Sequence, residues 1–322
     1  MDIHTENGRV NYLKRFFSMR EFGVLIALII LCVLLAIASP YFLKVTNLFN
    51  VLRQLSLITI LAVGQCLIII LGRLDLSIGT VMCLMGVIAA QLSLLGMPAI
   101  VILVVVLLCG MGMGAVNGVL VTKFGVNAFI VTLGTQYIAR SLALLITGGM
   151  PTKFSNGLNM LGSGYVGPVP ISVIVMAGVI AVGAVITKKT LIGRNIFIVG
   201  SNEKAAKLSG IRSSRLVFFS FVFMGFLCGI AGIILAGTLK SADPTSGLGY
   251  ELEAIAAVII GGTSLTGGRG TILGVVIGAA LMGVLKNGFV LLGITAYWQT
   301  FVLGAVIIAA VLIDSLKNRN DA

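Results

Sequence analysis

Long apolar runs alternate with short polar breaks along the whole chain, and the length of the runs predicts helices rather than strands. Runs near 22–40, 54–71, 76–96, 98–122, 127–148, 171–187, 216–239, 249–265, 270–292 and 295–315 each match the roughly 17–25 residues that an α-helix needs to cross a bilayer. Ten crossings would bring both ends of the chain to one side. The breaks at 71–76 and 265–270 are too short for ordinary loops and read as broken or re-entrant junctions. Irregular backbone at that depth is tolerated only where protein or a water-filled cavity surrounds it.

The break at 188–215 is different, being long, polar and basic. Within it Ser201 or Asn202 can cap a short helix of about two turns, and Glu203 suits the positive end of its dipole. Ala205 and Ala206 give it a close-packing face, and Gly210 can end it in a left-handed conformation. From these residues alone it is either a solvated connector that happens to be helical or an element on which something docks.

Composition agrees with a membrane protein. Hydrophobic residues make up 58% and charged residues 10%, with a mean hydropathy of +1.15, whereas soluble domains carry about 25% charged residues. The 41 glycines suit membrane helices that pack backbone to backbone. A net charge of +12 would suggest nucleic acid, but its placement matters more than its size. With the N-terminus inside, sixteen of the 22 Lys and Arg residues fall on the inner face. Only Lys44, Arg53, Lys153 and Lys240 fall outside, while Arg140 and Lys286 lie within spans. The positive-inside rule therefore places both termini and the 188–215 loop in the cytoplasm. The expected organisation is a cytoplasmic segment 1–21, a membrane domain 22–315 and a cytoplasmic tail 316–322, with no nucleic-acid partner.

Five cysteines sit in apolar runs without paired spacing, and His4 is the one histidine, so no metal site is expected. The phosphate-cradling pattern G-x-x-x-x-G-K-[S/T] is absent. The chain is therefore read as a non-enzyme without a cofactor, and active transport would require ATP hydrolysed by another chain.

Several polar residues lie where the pattern expects lipid or packed helix. Asp75 is the acidic residue of the first half's apolar region, which makes it a functional candidate by default. With Ser77 it either caps the helix that follows or faces a translocation path. Asn117 suits an interhelical hydrogen bond. Thr132, Gln136 and Arg140 share one helical face; they either line a path or, through Arg140, pair with a buried carboxylate. Glu251 and Glu253 read as a solvated first helical turn or as a contact at a substrate entrance. There is also a weak internal repeat: Gly72-Arg-Leu-Asp-Leu-Ser77 matches Gly261-Gly-Thr-Ser-Leu-Thr266, and 114–120 resembles 278–285. Transporter folds often carry such repeats.

The stretch Tyr250-Glu-Leu-Glu-Ala-Ile-Ala-Ala-Val-Ile-Ile-Gly-Gly-Thr-Ser-Leu-Thr-Gly-Gly-Arg-Gly270 closely resembles a signature of the ribose-type monosaccharide ABC-transporter permeases, part of the branched-chain amino acid/ribose permease superfamily. Leu74-Asp-Leu-Ser-Ile-Gly79, Asn127-Ala-Phe-Ile-Val-Thr-Leu133, the 193–211 loop and the early 40–50 stretch are similar to it in the same order. The resemblance implies an all-α polytopic fold of about ten transmembrane helices, type II ABC-importer-like, in a bacterial inner membrane. It implies import of ribose or a related sugar, with a separate ATPase subunit, a periplasmic sugar-binding protein and a second permease copy as partners. It also implies that Gly193, Asn202, Glu203, Ala205, Ala206, Ser209 and Gly210 couple to the ATPase. One residue departs from the pattern: Arg73 stands where the family usually has a second glycine. A passive channel for small polar solutes is the competing reading, and it has no need of the Glu203–Gly210 pattern.

Overall fold

The computed structural model describes residues 20–320, so most of the expected segment 1–21 and the last two residues of the tail lie outside them. Its elements follow the apolar runs. They are α1 (Arg20–Ala38), α2 (Val45–Ile70), α3 (Ile78–Leu94), α4 (Ala99–Thr122) and α5 (Ala128–Thr147), then a small segment of short pieces. That segment holds β1 (Thr152–Lys153), a 3-10 turn (Gly157–Asn159), α6 (Met160–Ser163), β2 (Tyr165–Val166) and β3 (Val169–Pro170). There follow α7 (Ile171–Lys189), α8 (Leu191–Ser201), α9 (Glu203–Leu208), α10 (Ser213–Leu239), β4 (Ser241–Ala242), α11 (Tyr250–Ile260), α12 (Ile272–Leu291) and α13 (Ala296–Asn320). The strands only pin loops: β1 pairs antiparallel with β4, and β2 with β3.

Helix α2 is the axis of the bundle. From Leu55 to Ile70 every residue is buried, and a helix that is apolar all round belongs inside other helices. It packs against α7, α10, α11 and α12. Outer helices show the opposite pattern, with α1 presenting Ile29, Ile30, Val33, Leu34 and Ile37 outward.

Six helices are long and apolar enough to cross a membrane: α2, α4, α5, α7, α10 and α12. The run at 249–265 gives a shorter helix than the spacing predicts. α11 has 11 residues, roughly 16 Å at 1.5 Å per residue, about half of a hydrocarbon core. Gly262, at φ 89°, ends it early. The polar island also differs from expectation, forming two helices rather than one, because Thr190 caps α8 through a bond from the Gly193 N–H (3.1 Å). Asn202 then caps α9, its side chain accepting from the Ala205 N–H at 2.9 Å.

The closest helix pairs meet through glycine. A Cβ on Gly225 of α10 would lie 2.0 Å from the Gly110 carbonyl oxygen of α4, and one on Gly114 would lie 2.1 Å from that of Phe221. Without a hydrophobic drive between helices in lipid, such backbone contact is what associates them. Gly112, on the same helix, faces open space. Gly225→Leu is therefore expected to force α4 and α10 apart at a cost of about 1–3 kcal/mol, while Gly112→Leu is tolerated. Thermal unfolding of the two detergent-purified variants checks this, and equal melting temperatures would show that the close approach is not needed.

Candidate functional site

The site begins where two helices stop. At the end of α2 the Gly72 N–H donates to Ile69 O (2.8 Å) and the Arg73 N–H to Ile68 O (3.1 Å), with Gly72 at φ 71°. At the end of α11 the Gly262 N–H donates to Ile259 O (2.9 Å) and the Thr263 N–H to Val258 O (3.2 Å), with Gly262 at φ 89°. These are two copies of one glycine-capped helix end. The weak repeat is thus visible in the backbone, but shifted by one: Gly72 corresponds to Gly262, not to Gly261.

The two ends lie together. The Gly268 N–H donates to Ile70 O at 2.8 Å. α8 closes over them, since a Cβ on Gly200 would meet both Ile70 O and Gly268 N. Sequence reasoning singled out neither Gly200 nor Gly268. Their signal was only that glycines cluster at both ends of the polar island and its distant counterpart.

Beyond Arg73 the chain runs without regular structure to α3 and is fixed by a hydrogen-bond network. The Asp75 Oδ1 accepts from the Ser77 N–H (2.8 Å) and hydroxyl (2.6 Å). Asn117 Nδ2 donates to Ser77 Oγ at 3.2 Å, and the Thr135 hydroxyl donates to Asn117 Oδ1 at 2.5 Å. The Leu76 N–H donates to Thr132 Oγ1 at 3.1 Å. Asp75, Ser77, Asn117, Thr132 and Thr135 are all buried. The sequence candidates on three helices are thus brought together, but as a lock between α3, α4 and α5 rather than as the wall of an open path. Asp75 does not cap α3 itself; it holds the turn one residue before it.

Gln136 and Arg140 do not join the network. Gln136 Nε2 donates to Glu251 Oε1 at 3.3 Å. Arg140 is half-buried and makes no ion pair among the described residues, so the expected carboxylate partner is not found. Glu251 is buried rather than solvated, and Glu253 pairs with Lys286 at 2.8 Å. A solvated turn was the wrong reading because α11 begins against the first turn of α3: a Cβ on Gly79 would meet Gly247 O.

α9 sits beside this assembly. Ala206 is 1% exposed and packs into the protein, and a Cβ on Gly193 would lie 2.0 Å from Ile186 O. Ala206 therefore serves internal packing, which corrects its placement at an external contact, and Gly193 lets α8 start close against the end of α7. The exposed face carries Asn202, Lys204, Ala205, Ser209 and Gly210. It also carries Leu208, 91% exposed, which sequence reasoning missed although a leucine on an otherwise polar helix was a usable signal. Gly210 adopts φ 80° as expected.

Glu203 ties α9 down. Its Oε2 lies 3.3 Å from Arg73 Nη2, and its Oε1 accepts from Lys207 Nζ and the Ser213 hydroxyl, each at 3.0 Å. Partial burial alone would raise its carboxyl, but the Lys207 bond, the Arg73 charge and the Ser213 bond hold it below the ordinary value of 4.5. A depressed carboxyl keeps its pairing above 4.5 and loses it as pH falls through the lower folded value. Arg73, Leu74, Asn127, Phe129, Glu203 and Lys207 line a cavity of about 640 Å³.

A family described as "Branched-chain amino acid transport system / permease component" matches residues 47–311. The chain belongs to this family. It is 43% identical over 295 residues to the ribose import permease protein RbsC of Haemophilus influenzae, covering 90% of this chain and 91% of that one. Over 322 residues it is 40% identical to RbsC of Escherichia coli K12, covering 98% and 100%. The galactose/methyl galactoside import permease protein MglC of the same strain is 34% identical over 325 residues, covering 94% and 97%. No solved structure matches the chain.

In this permease the Asp75 turn gives a direct expectation. Asp75→Asn keeps an oxygen that can accept both Ser77 bonds, so folding and transport are largely retained. Asp75→Leu strands two buried donors at about 1–3 kcal/mol each. Yield and melting temperature of both variants check this; equal values for both would show that the turn does not depend on the acceptor.

Proposed function

We propose that this chain is the membrane-spanning subunit of a bacterial ABC importer that moves a monosaccharide, ribose or a related sugar, across the inner membrane. A separate ATPase supplies the energy, and a periplasmic binding protein delivers the sugar. The relatives named for ribose and for galactose support a monosaccharide over an amino acid. The architecture we propose is type II, with about ten passes, both termini and the α8–α9 segment cytoplasmic, and two copies of the chain side by side.

One observation carries the reading beyond the family. α9 is a six-residue helix, capped at both ends, packed on α8 and α10, tied to the end of α2 through Arg73 and bearing Leu208 almost bare. An apolar side chain so exposed on a polar helix outside the apolar runs suits a groove on a partner. We assign that groove to the ATPase. Ala205 permits close approach and Leu208 is the knob. A passive channel would have no use for either.

Leu208→Asp is expected to leave the permease in the membrane, because Leu208 buries nothing within it. Sugar uptake should fall at least tenfold and the ATPase should no longer co-purify. Wild-type uptake by Leu208→Asp would sink the docking assignment. Ala206→Trp is expected to lower the yield of folded permease, since Ala206 is packed inside. Orientation is checked separately. Cysteines introduced at Lys188 should be shielded from an impermeant reagent outside intact cells, and those at Lys153 labelled; equal labelling would refute the proposed topology.

A further inference from the structure

We propose that Arg73 is a positioning residue for coupling: its ion pair to Glu203 fastens the docking helix α9 to the α2–α3 junction. Movement of α9 is thereby delivered to the Asp75 turn. The inference rests on the importer reading and adds to it a named link between the ATPase side and the helix break.

Both ends of the link are anchored. Arg73 is the residue after the glycine cap of α2, its N–H bound to Ile68 O and its Nη1 donating to Leu71 O at 3.1 Å. Its backbone and one arm of its guanidinium are therefore held at the cap, and the other arm, Nη2, reaches across to α9. Glu203 is the first residue of α9, and its other oxygen binds Lys207 in the next turn of α9 and Ser213 at the start of α10. One carboxylate thus joins the end of α2, the docking helix and the beginning of α10. Two residues after Arg73 comes Asp75, and through Ser77 and Asn117 that turn reaches α4 and α5. A displacement of α9 consequently has a short polar route into three membrane helices. The pair also forms part of the wall of the 640 Å³ cavity, which gives the junction room to move.

The alternative is a surface ion pair that contributes nothing, as many do. A charge-reversal cycle in the permease reconstituted with its ATPase and binding protein separates the two. The quantity measured is sugar moved per ATP hydrolysed, with co-purification of the ATPase as the control. R73E and E203R are each expected to lower that ratio about two- to fivefold, the scale an exposed pair supports. The double variant R73E/E203R should exceed E203R, since both have lost the Lys207 and Ser213 bonds and only the double restores the pair to position 73, and R73K should match the wild type. A wild-type ratio in R73E, or a double variant no better than E203R, overturns the proposal. If R73E does not reach the membrane, R73Q and R73K decide: a lower ratio in R73Q alone supports the link, and equal ratios overturn it. A wild-type complex that hydrolyses ATP without moving any sugar would instead refute the importer reading.

Discussion

A backbone that stops being helical inside a membrane must find its hydrogen bonds within the protein, and the structure is arranged around two such stops. α2 ends at Ile70 and α11 at Ile260, each closed by a glycine in the left-handed region that returns its last N–H groups to the helix. The remaining unpaired carbonyl of Ile70 is met by Gly268 from the other stop. The second break therefore completes the first. α8 is needed to cover the pair, and it fits because Gly200 has no side chain to keep it away.

The same steric condition explains why glycine is spread along so many helices. Gly110 with Gly225, Gly86 with Gly232, and Gly261 with Gly274 all bring backbones close enough that an added Cβ would collide. In lipid, dispersion contacts and small-residue approach replace the hydrophobic drive that a soluble bundle enjoys. A bundle built this way is stiff wherever glycines interlock. At the α2–α3 junction, by contrast, the chain leaves regular helix and is held by side chains.

The positions of the helices were legible in the sequence because apolar length is a direct consequence of bilayer thickness. The half-length of α11 was not, because glycines are spread through so many of the membrane helices that Gly261 and Gly262 do not stand out as a stop, although Thr263 and Ser264 follow them. Asp75, Ser77, Asn117 and Thr132 each stood out separately as candidates for a path, because polar side chains in apolar runs must be satisfied somewhere. Their closure on one another could not be read, because it depends on how α3, α4 and α5 are placed. Ala206 misled for a related reason: a small residue suits an internal contact as well as an external one, and only the burial of its face decides. Arg73 stood out as a departure from the family pattern, yet its partner lies 130 residues away along the chain.

Stiff and soft links follow in series from α9 to the bundle. The Asp75–Ser77–Asn117–Thr135 chain is buried, with its short bonds out of reach of solvent, so it holds its geometry. The Arg73–Glu203 pair is partly solvated, with 22% and 36% of its side chains exposed, so water can replace either partner at modest cost. In a series of contacts the solvated one yields first. With α9 docked as proposed, a small displacement of it would pass through the intact pair to the Asp75 turn, and a larger one would break the pair and leave the buried lock unstrained. The gradation from solvated to buried polar contact would thus limit how much force such a docking helix could impose on the membrane helices. The lock adds to the direct packing of α3 on α4 and α5, which fixes the same three helices.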